Sequence, residues 1–240
     1  MASSGTVQAI SSSFINTIVN GDCIEVMRQL PAQTIDFVLT DPPYLVNYLD
    51  RSRRSIHNDG NPVWLKPAMA EAYRLLKNDR LMLCFYGWSR VHHFMSAWMD
   101  AGFRPAGHIV FVKRYTSKTR FVRYQHEQAY LLAKGNPPLP AHAISDVQNF
   151  EYTGNTFHPT QKPVSALSPI IQAFTLPGDL VLDSFCGSAS TCAAALLSGR
   201  HFLGIELDAD YFRLASARME RIRSRTRPRD YPQRQTDRAA

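Results

Sequence analysis

Two consecutive prolines lie in the segment Asp41-Pro42-Pro43-Tyr44, which directly follows the apolar run IDFVLT. Each proline fixes φ and lacks an amide donor, so the segment predicts a rigid, exposed turn whose carbonyls point outward beside a carboxylate and an aromatic ring. A planar exocyclic amine, such as adenine N6 or cytosine N4, fits this turn, because acceptors on Asp41 and Pro42 draw its two hydrogens out of the ring plane. The nitrogen lone pair then faces an electrophilic carbon while Tyr44 stacks on the base. An ordinary turn after a strand explains the tetrapeptide equally well.

A second predicted turn, DSFCGSAST at 183–191, consists mostly of small residues and lies between an apolar run and an alanine-rich helical stretch. Small side chains let the backbone approach a ligand, and a helix N-terminus attracts an anionic group such as an amino-acid carboxylate. The segment is not G-x-G-x-x-G, so it supports a dinucleotide site only weakly. Glu206 ends the run HFLGIE, where an acid can bind both hydroxyls of a ribose. Taken singly, a generic turn and a solvated acid explain these two features.

The elements that must position these residues follow from the hydrophobic pattern, in which short β-branched runs alternate with longer periodic stretches. This alternation predicts an α/β fold with a doubly wound, Rossmann-like, mostly parallel sheet and helices on both faces. Ligands of such sheets bind beyond the carboxyl ends of the strands, where all three features lie. Residues 135–155, which contain three prolines, are predicted to form a long loop. The predicted strands are 14–19, 35–40, 81–86, 108–112, 128–133, 180–185 and 202–206, and the predicted helices are 23–30, 63–77, 89–101, 164–174, 189–198 and 209–223.

The composition excludes several classes of protein. The chain has 240 residues, of which 45% are hydrophobic and 20% charged, as in a globular domain and unlike a disordered or fibrous chain. No apolar run approaches the roughly 20 residues that cross a bilayer, and the N-terminus lacks the pattern of a secretion signal. The four cysteines, Cys23, Cys84, Cys186 and Cys192, show no C-x-x-C spacing, so we predict neither a disulfide framework nor a metal site. A cytoplasmic location fits this composition.

Basic residues are concentrated in two parts of the chain, whose net charge is +7. Seven basic residues lie between Arg104 and Lys134 against one acid, Glu127, and nine arginines lie from Arg213 to the end against three acids. Such surfaces favour polyanions such as nucleic acid, because each neutralised phosphate releases counterions. On charge alone, a merely solvated basic face is equally consistent.

Together, the three features resemble the amino-group DNA methyltransferases that use S-adenosylmethionine. The order is the permuted one, in which the amine motif precedes the cofactor motif. NGDCIEVMRQLPAQTIDFVLTDPPY resembles the family's opening segment, FHPTQKPVSALSPIIQAFTLPGDLVLDSFCGSAST its cofactor segment and GIELDADYF its ribose segment. The resemblance covers most of residues 14–220. It implies a permuted class I methyltransferase fold, with residues 1–240 as a single domain of the beta-class, adenine-specific type.

The resemblance also implies roles for individual residues. Asp41, Pro42, Pro43 and Tyr44 hold a flipped base. For the cofactor, Asp22 and Cys23 bind the adenine, Glu206 binds the ribose, His158 and Lys162 lie near the methionine carboxylate, and Asp41, Asp183, Phe185, Gly187, Ser188, Ser190 and Thr191 line the methionine end. Asp22 is equally explained as a helix N-cap, and Lys162 as a solvated charge.

DNA contacts are expected from the segments 45–61, 113–125 and 135–157 and from a basic tail at about 224–240. With no larger insert available, the target site is expected to be short. The candidate phosphate contacts are Arg51, Arg53, Arg54, Lys113, Arg114, Lys118, Arg120 and Arg123. Ser184 and Ala189 stand where close relatives have proline and glycine. Because the helical pattern begins at Ala189, we predict a negative φ there and a methyl group that leaves cofactor binding intact.

The function implied is methyl transfer from S-adenosylmethionine to adenine N6 of a base flipped out of double-stranded DNA. Cytosine N4 satisfies the same acceptors, although relatives that act on cytosine more often have serine in place of Asp41. Two further alternatives are methylation of a protein glutamine, for which relatives carry asparagine before P-P-Y, and a DNA-binding regulator without turnover. The implied location is nucleoid-associated, and the sequence leaves open a homodimer and a cognate restriction endonuclease as partners.

Overall fold

The computed structural model describes residues 9–47, 58–152 and 161–226, and these form ten strands and six α-helices. The strands are β1 (Thr17–Asn20), β2 (Ile35–Thr40), β3 (Leu76–Phe85), β4 (Arg104–Lys113), β5 (Lys118–Thr119), β6 (Arg123–Tyr124), β7 (His126–Lys134), β8 (Val147–Phe150), β9 (Leu180–Asp183) and β10 (His201–Glu206). The helices are α1 (Cys23–Arg28), α2 (Leu65–Leu75), α3 (Val91–Ala101), α4 (Val164–Phe174), α5 (Ser190–Leu197) and α6 (Ala209–Thr226).

Eight strands form one sheet in the order β1-β10-β9-β2-β3-β7-β4-β8, and β5 and β6 form a separate hairpin. The first five strands of this order pair in parallel, whereas β7 is antiparallel to both β3 and β4, and β8 is parallel to β4. Because the five parallel strands run in one direction, their carboxyl ends meet at one edge of the sheet. The predicted α/β class and its mostly parallel sheet are confirmed.

A hydrophobic core lies on each face of the sheet. Strand β2 is buried along its whole length, and its alternate residues serve different cores: Val38 belongs to one, and Phe37 and Leu39 to the other. The first core takes its helical residues from α1, α2 and α3, and the second from α4, α5 and α6. Helices therefore cover both faces, which explains why the central strands are continuously apolar.

The structure adds strands that the hydrophobic pattern missed. Strand β8 lies inside the stretch predicted as a loop and pairs with β4, with Val110 opposite Val147. Its sequence VQNF is short and half polar, so it produces no periodic signal. The β5–β6 hairpin lies in the predicted DNA-contacting segment 113–125. No helix among the described residues is long and apolar enough to cross a membrane.

Candidate active site

Three acidic residues meet at the carboxyl edge of the sheet. Asp41 directly follows β2, Asp183 ends β9 and Glu206 ends β10, and these strands are neighbours in the sheet. All three residues line one open cavity, whose empty space is about 1260 Å³ with the solvent at its mouth included. The residues predicted to act on the amine and those predicted to bind the cofactor therefore share one cavity.

This cavity brings together every described residue that was predicted to be catalytic or to bind the cofactor. His158 lies outside the described residues, as do the predicted DNA contacts Arg51, Arg53 and Arg54. The predicted residues that line the cavity are Asp22, Cys23, Asp41, Pro42, Pro43, Tyr44, Lys162, Asp183, Phe185, Gly187, Ser188, Ser190, Thr191 and Glu206.

The Asp41 carboxylate is held from two sides. Tyr44 donates its hydroxyl to Asp41 Oδ1 at 2.8 Å, and Lys162 donates from Nζ to Asp41 Oδ2 at 2.5 Å. Lys162 is buried, and its Nζ lies 5.5 Å from the Tyr44 ring centroid and 4.8 Å from that of Phe85. The prediction of an exposed turn is therefore wrong, because the carboxylate is the counter-ion of a buried ammonium. Lys162 is likewise not a solvated charge.

A second ion pair extends this arrangement into a network of two cations and two anions. Glu127, on β7, accepts from the Tyr44 hydroxyl through Oε2 at 3.2 Å and pairs with Lys113 through Oε1. Tyr44 has a single hydroxyl hydrogen, so it serves one carboxylate at a time. Burial, Asp41 and Glu127 raise the pKa of Tyr44 well above its ordinary value, so the hydroxyl stays protonated and remains a donor.

The charges of this network shift one another's pKa values. Burial raises the pKa of Asp41, the charge and hydrogen bond of Lys162 lower it, and the nearby Glu127 carboxylate raises it, so that the net shift is upward. Burial opposes ionisation of Glu127, but Lys162 and Lys113 outweigh it and hold its pKa below the ordinary value. Burial also opposes the charge on Lys162, yet Asp41 and Glu127 raise its pKa. Each charge therefore depends on its partners, because burial disfavours it.

Lys113 requires a correction to its predicted role. It was expected to contact DNA phosphates, but its side chain is only 7% exposed and it is paired with Glu127. The pairing arises because Lys113 ends β4, which runs beside β7 with Phe111 opposite Glu127. Glu127 was not predicted from the sequence as a site residue, although it pairs with Lys113 and accepts from Tyr44. The available signal was its position as the single acid among the basic residues from Arg104 to Lys134.

Asp183 lies at the centre of the cofactor side of the cavity. Its Oδ1 accepts from the Thr40 hydroxyl at 3.1 Å and from the Phe185 amide at 3.2 Å. Burial raises its pKa to about 7, although hydrogen bonds from Thr191, Phe185 and Thr40 act in the opposite direction. The group therefore changes charge near neutral pH and is poised to respond to a bound cation.

Glu206 connects the end of β10 to the small-residue turn. Its Oε2 accepts from the Gly187 amide at 2.7 Å and its Oε1 from the Asp208 amide at 2.8 Å. A carboxylate offers about four acceptor positions, so both oxygens retain capacity for hydroxyl groups of a ligand. Gly187 has φ +49°, which favours glycine at this position.

Asp22 and Cys23 line the cavity where the chain enters α1. Asp22 is the N-cap of α1, and its Oδ1 accepts from the Ile24 and Glu25 amides at 2.8 and 3.2 Å. The capping explanation is therefore correct, and it holds alongside the position in the cavity wall. Burial and the neighbouring Asp22 raise the pKa of Cys23 to about 12, so its thiol is not a nucleophile at neutral pH.

Trp64, which was not predicted from the sequence, forms an aromatic wall with Phe185. Both rings line the cavity, with centroids 5.1 Å apart and an interplanar angle of 60°. Trp64 lies just before α2 and donates its indole N–H to the Asn58 carbonyl at 2.9 Å. A flat ligand group can pack against such a wall.

Ala189 also departs from its prediction. Helix α5 begins at Ser190, and Ala189 is its N-cap, with φ +61° and ψ +36° in the left-handed region. The prediction of a negative φ is wrong, because the small-residue turn reaches one residue further than the helical pattern indicated. The Ala189 side chain is buried in the core beneath α5 and is absent from the cavity wall.

Of the remaining predicted DNA contacts, Arg114, Arg120 and Arg123 are exposed. Arg123 begins β6, and Lys118 begins β5. All four residues lie in or beside the β5–β6 hairpin, and the exposed Arg114, Arg120 and Arg123 are accessible to a polyanion.

A family model described as "DNA methylase" matches residues 35–217. The chain belongs to the DNA methylase family. This DNA methylase is 51% identical over 208 residues to "Putative methylase YubD" of Escherichia coli (strain K12), which covers 87% of this chain and 92% of that protein. It is 27% identical over 242 residues to "DNA adenine methyltransferase YhdJ" of the same organism, which covers 85% of this chain and 82% of that protein.

Two solved structures share the fold of this DNA methylase. The M1.HpyAVI–SAM complex has a TM-score of 0.67 and 23% identity, and the match covers 85% of this chain and 98% of that chain. The cytosine-N4-specific PvuII DNA methyltransferase has a TM-score of 0.71 and 18% identity, with 90% and 92% covered. These similarities confirm the methyltransferase fold that the sequence motifs predicted.

Proposed function

We propose that this DNA methylase transfers a methyl group from S-adenosylmethionine to adenine N6 in double-stranded DNA. The observation that supports this most is the convergence in one cavity of the Asp41–Tyr44 turn with Asp183 and Glu206. The turn offers acceptors for an amine. Asp183 and Glu206 lie in the segments that resemble the family's cofactor and ribose motifs. This convergence supports adjoining sites for the amine and the methyl donor.

The residues of the cavity fit S-adenosylmethionine chemically. Glu206 has free acceptor capacity for the two ribose hydroxyls, and Asp183 is an acid placed to face the methionine ammonium. The Trp64–Phe185 wall suits a flat ring, and the turn at Gly187 exposes backbone to the ligand. When bound, S-adenosylmethionine supplies a methyl group on a sulfonium, which an amine can attack without a covalent enzyme intermediate.

The role proposed for the Asp41 turn is to prepare the target nitrogen. The Asp41 carboxylate and the Pro42 carbonyl accept the two amine hydrogens, which localises the nitrogen lone pair. Tyr44 packs its ring against the base, and its hydroxyl steadies Asp41 at 2.8 Å. Lys162 favours the anionic form of Asp41 and orients it, so its own role is positioning. Positioned acceptors of this kind are worth roughly 10²–10³ in rate each.

Adenine is preferred over cytosine on two grounds. The first position of the amine motif is Asp41, where relatives that act on cytosine more often have serine. The 27% identical relative is named as an adenine methyltransferase. Cytosine N4 remains the second candidate, because the fold is also that of the cytosine-N4-specific PvuII enzyme and both amines present two hydrogens.

DNA is proposed to approach the cavity over the basic hairpin. Arg114, Arg120 and Arg123 are exposed there, whereas Lys113 is held inside by Glu127. Changing Arg120 or Arg123 to Gln is expected to lower the salt dependence of DNA binding by about one unit of slope per residue. Unchanged slopes would place the DNA on another surface, such as the arginine-rich C-terminal region.

The experiment that tests the function compares genomic DNA from cells that express the wild type with DNA from cells that express Asp41→Ala. Methylation-sensitive sequencing reports the modified base together with its sequence context. We expect N6-methyladenine at one short site with the wild type and none with the variant. N4-methylcytosine would favour the second candidate, and no modified base with either protein would favour a binding-only regulator.

A further inference from the structure

Two apolar side chains project into solvent at the tip of the β5–β6 hairpin. Phe121 is 104% exposed and Val122 is 59% exposed. The turn is closed by the Arg120 amide, which donates to the Val122 carbonyl at 3.1 Å. Arg120 and Arg123, on either side of these residues, are exposed as well. An apolar tip between cations suits a partner that is anionic outside and apolar inside.

The ends of the β4 and β7 strands, from which the β5–β6 hairpin extends, are linked to the Asp41–Tyr44 turn. At these ends, the Lys113 amide donates to the Gln125 carbonyl at 2.7 Å, and the Lys113 side chain pairs with Glu127. Glu127 in turn accepts from the Tyr44 hydroxyl at 3.2 Å. The two strands that lead to the hairpin are therefore linked to the residue proposed to stack on the target base.

A second set of contacts links the hairpin to Tyr44. Tyr124 stacks on Trp88, with ring centroids 6.0 Å apart and an interplanar angle of 23°. Trp88 follows Gly87, whose backbone packs so closely on Tyr44 that an added Cβ would lie 2.8 Å from Tyr44 Cβ. Phe121 precedes Tyr124 by three positions, which span at most roughly 10 Å. The apolar tip is therefore connected to the Asp41–Tyr44 turn through β6, the Tyr124–Trp88 stack and Gly87.

We infer that Phe121 is a wedge that enters the duplex beside the target base and fills the gap left when that base is flipped out. The inference rests on the proposed function, since only an enzyme that acts on a duplex base needs such a gap. Proteins that kink or open DNA insert apolar side chains between base steps, with cations on the adjacent phosphates. Here Phe121 supplies the ring, and Arg120 and Arg123 supply the cations.

The size of the effect follows from the stacking that the ring replaces. Stacking of a base on an aromatic side chain is worth about 1–3 kcal/mol, which corresponds to roughly 5- to 150-fold in the equilibrium between stacked and flipped base. The cost of flipping falls when the target is unpaired. A wedge should therefore matter for a paired target and much less for an unpaired one.

The test uses the full chain with Phe121→Ser, Phe121→Trp and a matched control, Leu176→Ser. Leu176 is also an exposed apolar residue, at 68%, but it precedes β9 and so lies at the opposite edge of the sheet from the cavity. The substrates are an oligonucleotide duplex with the site found by sequencing and the same duplex with an abasic position opposite the target. Single-turnover methyl transfer is measured on both, and 2-aminopurine at the target position reports flipping by its fluorescence.

For the paired duplex, we expect Phe121→Ser to lower the transfer rate by about 5- to 150-fold and to lower the 2-aminopurine signal with it. Phe121→Trp and Leu176→Ser should behave like the wild type. The abasic position should restore the rate of Phe121→Ser, and binding to DNA without the site should not change.

Several results would overturn the wedge. Wild-type rates for Phe121→Ser on the paired duplex would do so, as would a loss that the abasic position does not restore. A change in oligomeric state of Phe121→Ser without DNA would assign the tip to a protein contact instead. If the wild type labels no DNA, the proposed function fails and the wedge fails with it; if the wild type labels DNA and Phe121→Ser labels it equally, only the wedge fails.

Discussion

Replacing Lys162 by Met and Glu127 by Gln should move the pH dependence of methyl transfer in opposite directions. Asp41 must be ionised to accept an amine hydrogen, so the acid limb of the rate profile follows its pKa. Burial raises that pKa, Lys162 lowers it and Glu127 raises it. Lys162→Met therefore raises the pKa of Asp41 and shifts the acid limb to higher pH, whereas Glu127→Gln lowers the pKa and shifts the limb to lower pH.

The stability of the same variants follows from the burial of the network. Removing one partner of a buried ion pair costs about 3–5 kcal/mol, because the other charge is left uncompensated. The Asp41 side chain keeps 21% exposure and the Tyr44 hydroxyl as a donor, so we expect the lower end, about 3 kcal/mol, for Lys162→Met. Adding Asp41→Asn removes the stranded anion, and the two changes together should cost less than their sum by about 1–3 kcal/mol.

The assay is single-turnover methyl transfer between about pH 5 and pH 9, at saturating cofactor and DNA, with urea unfolding of each variant at neutral pH. Leu176→Ser serves as the control for both measurements, since it lies at the opposite edge of the sheet. Acid limbs that move in the same direction for Lys162→Met and Glu127→Gln would refute the electrostatic reasoning. If the losses of unfolding free energy in the two single variants simply add in the double variant, the pairing of Lys162 with Asp41 is refuted.

Three further predictions concern single residues. Because burial raises the pKa of Asp183 to about 7 and a bound ammonium favours the carboxylate, S-adenosylmethionine affinity should rise from about pH 6 to about pH 8 with release of protons. Calorimetry in two buffers of different ionisation enthalpy measures both the affinity and the protons released. A wild-type affinity that does not vary with pH, or that varies equally in Asp183→Asn, would contradict this prediction. Tyr44→Phe should slow transfer by only about 3- to 10-fold, the value of one hydrogen bond, whereas Tyr44→Ala also loses the ring and should slow transfer by a further factor of about 5 to 150. The reverse order in single-turnover rates would mean that the hydroxyl matters more than stacking. Ala189→Gly removes the strain of an alanine in the left-handed region, about 1 kcal/mol, but also removes a buried methyl group that contributes about 0.8 kcal/mol. The thermal unfolding temperature and the cofactor affinity should therefore both change little. Clearly tighter cofactor binding would show that the alanine impairs the turn.

Much of the site was predictable because its acids follow strands with a strong signal. The runs that form β2, β9 and β10 are buried on both faces, so their sequences are continuously apolar and their ends are easy to locate. Parallel strands then bring Asp41, Asp183 and Glu206 to one edge without any knowledge of the loops.

The parts that failed depend on contacts between residues that are distant in sequence. Lys113 and Glu127 are 14 residues apart, and their pairing follows from the length of β4 and its register with β7. A count of basic residues cannot distinguish a buried lysine from an exposed one. Trp64 enters the cavity from the start of α2 and has no motif around it. Ala189 failed because periodicity marks where a helical face begins, whereas the N-cap takes a non-helical conformation that the pattern does not report.

The central claim is tested most directly by purified protein, S-adenosylmethionine labelled in its methyl group and unmethylated duplex DNA, followed by digestion to nucleosides and chromatography. We predict that the label elutes as N6-methyladenosine in its deoxy form, and that Asp41→Ala reduces it by roughly 10²–10³ or more. Label in N4-methylcytosine, label on protein, or equal label with Asp41→Ala would contradict the assignment of Asp41 as the acceptor that prepares adenine N6 for methyl transfer.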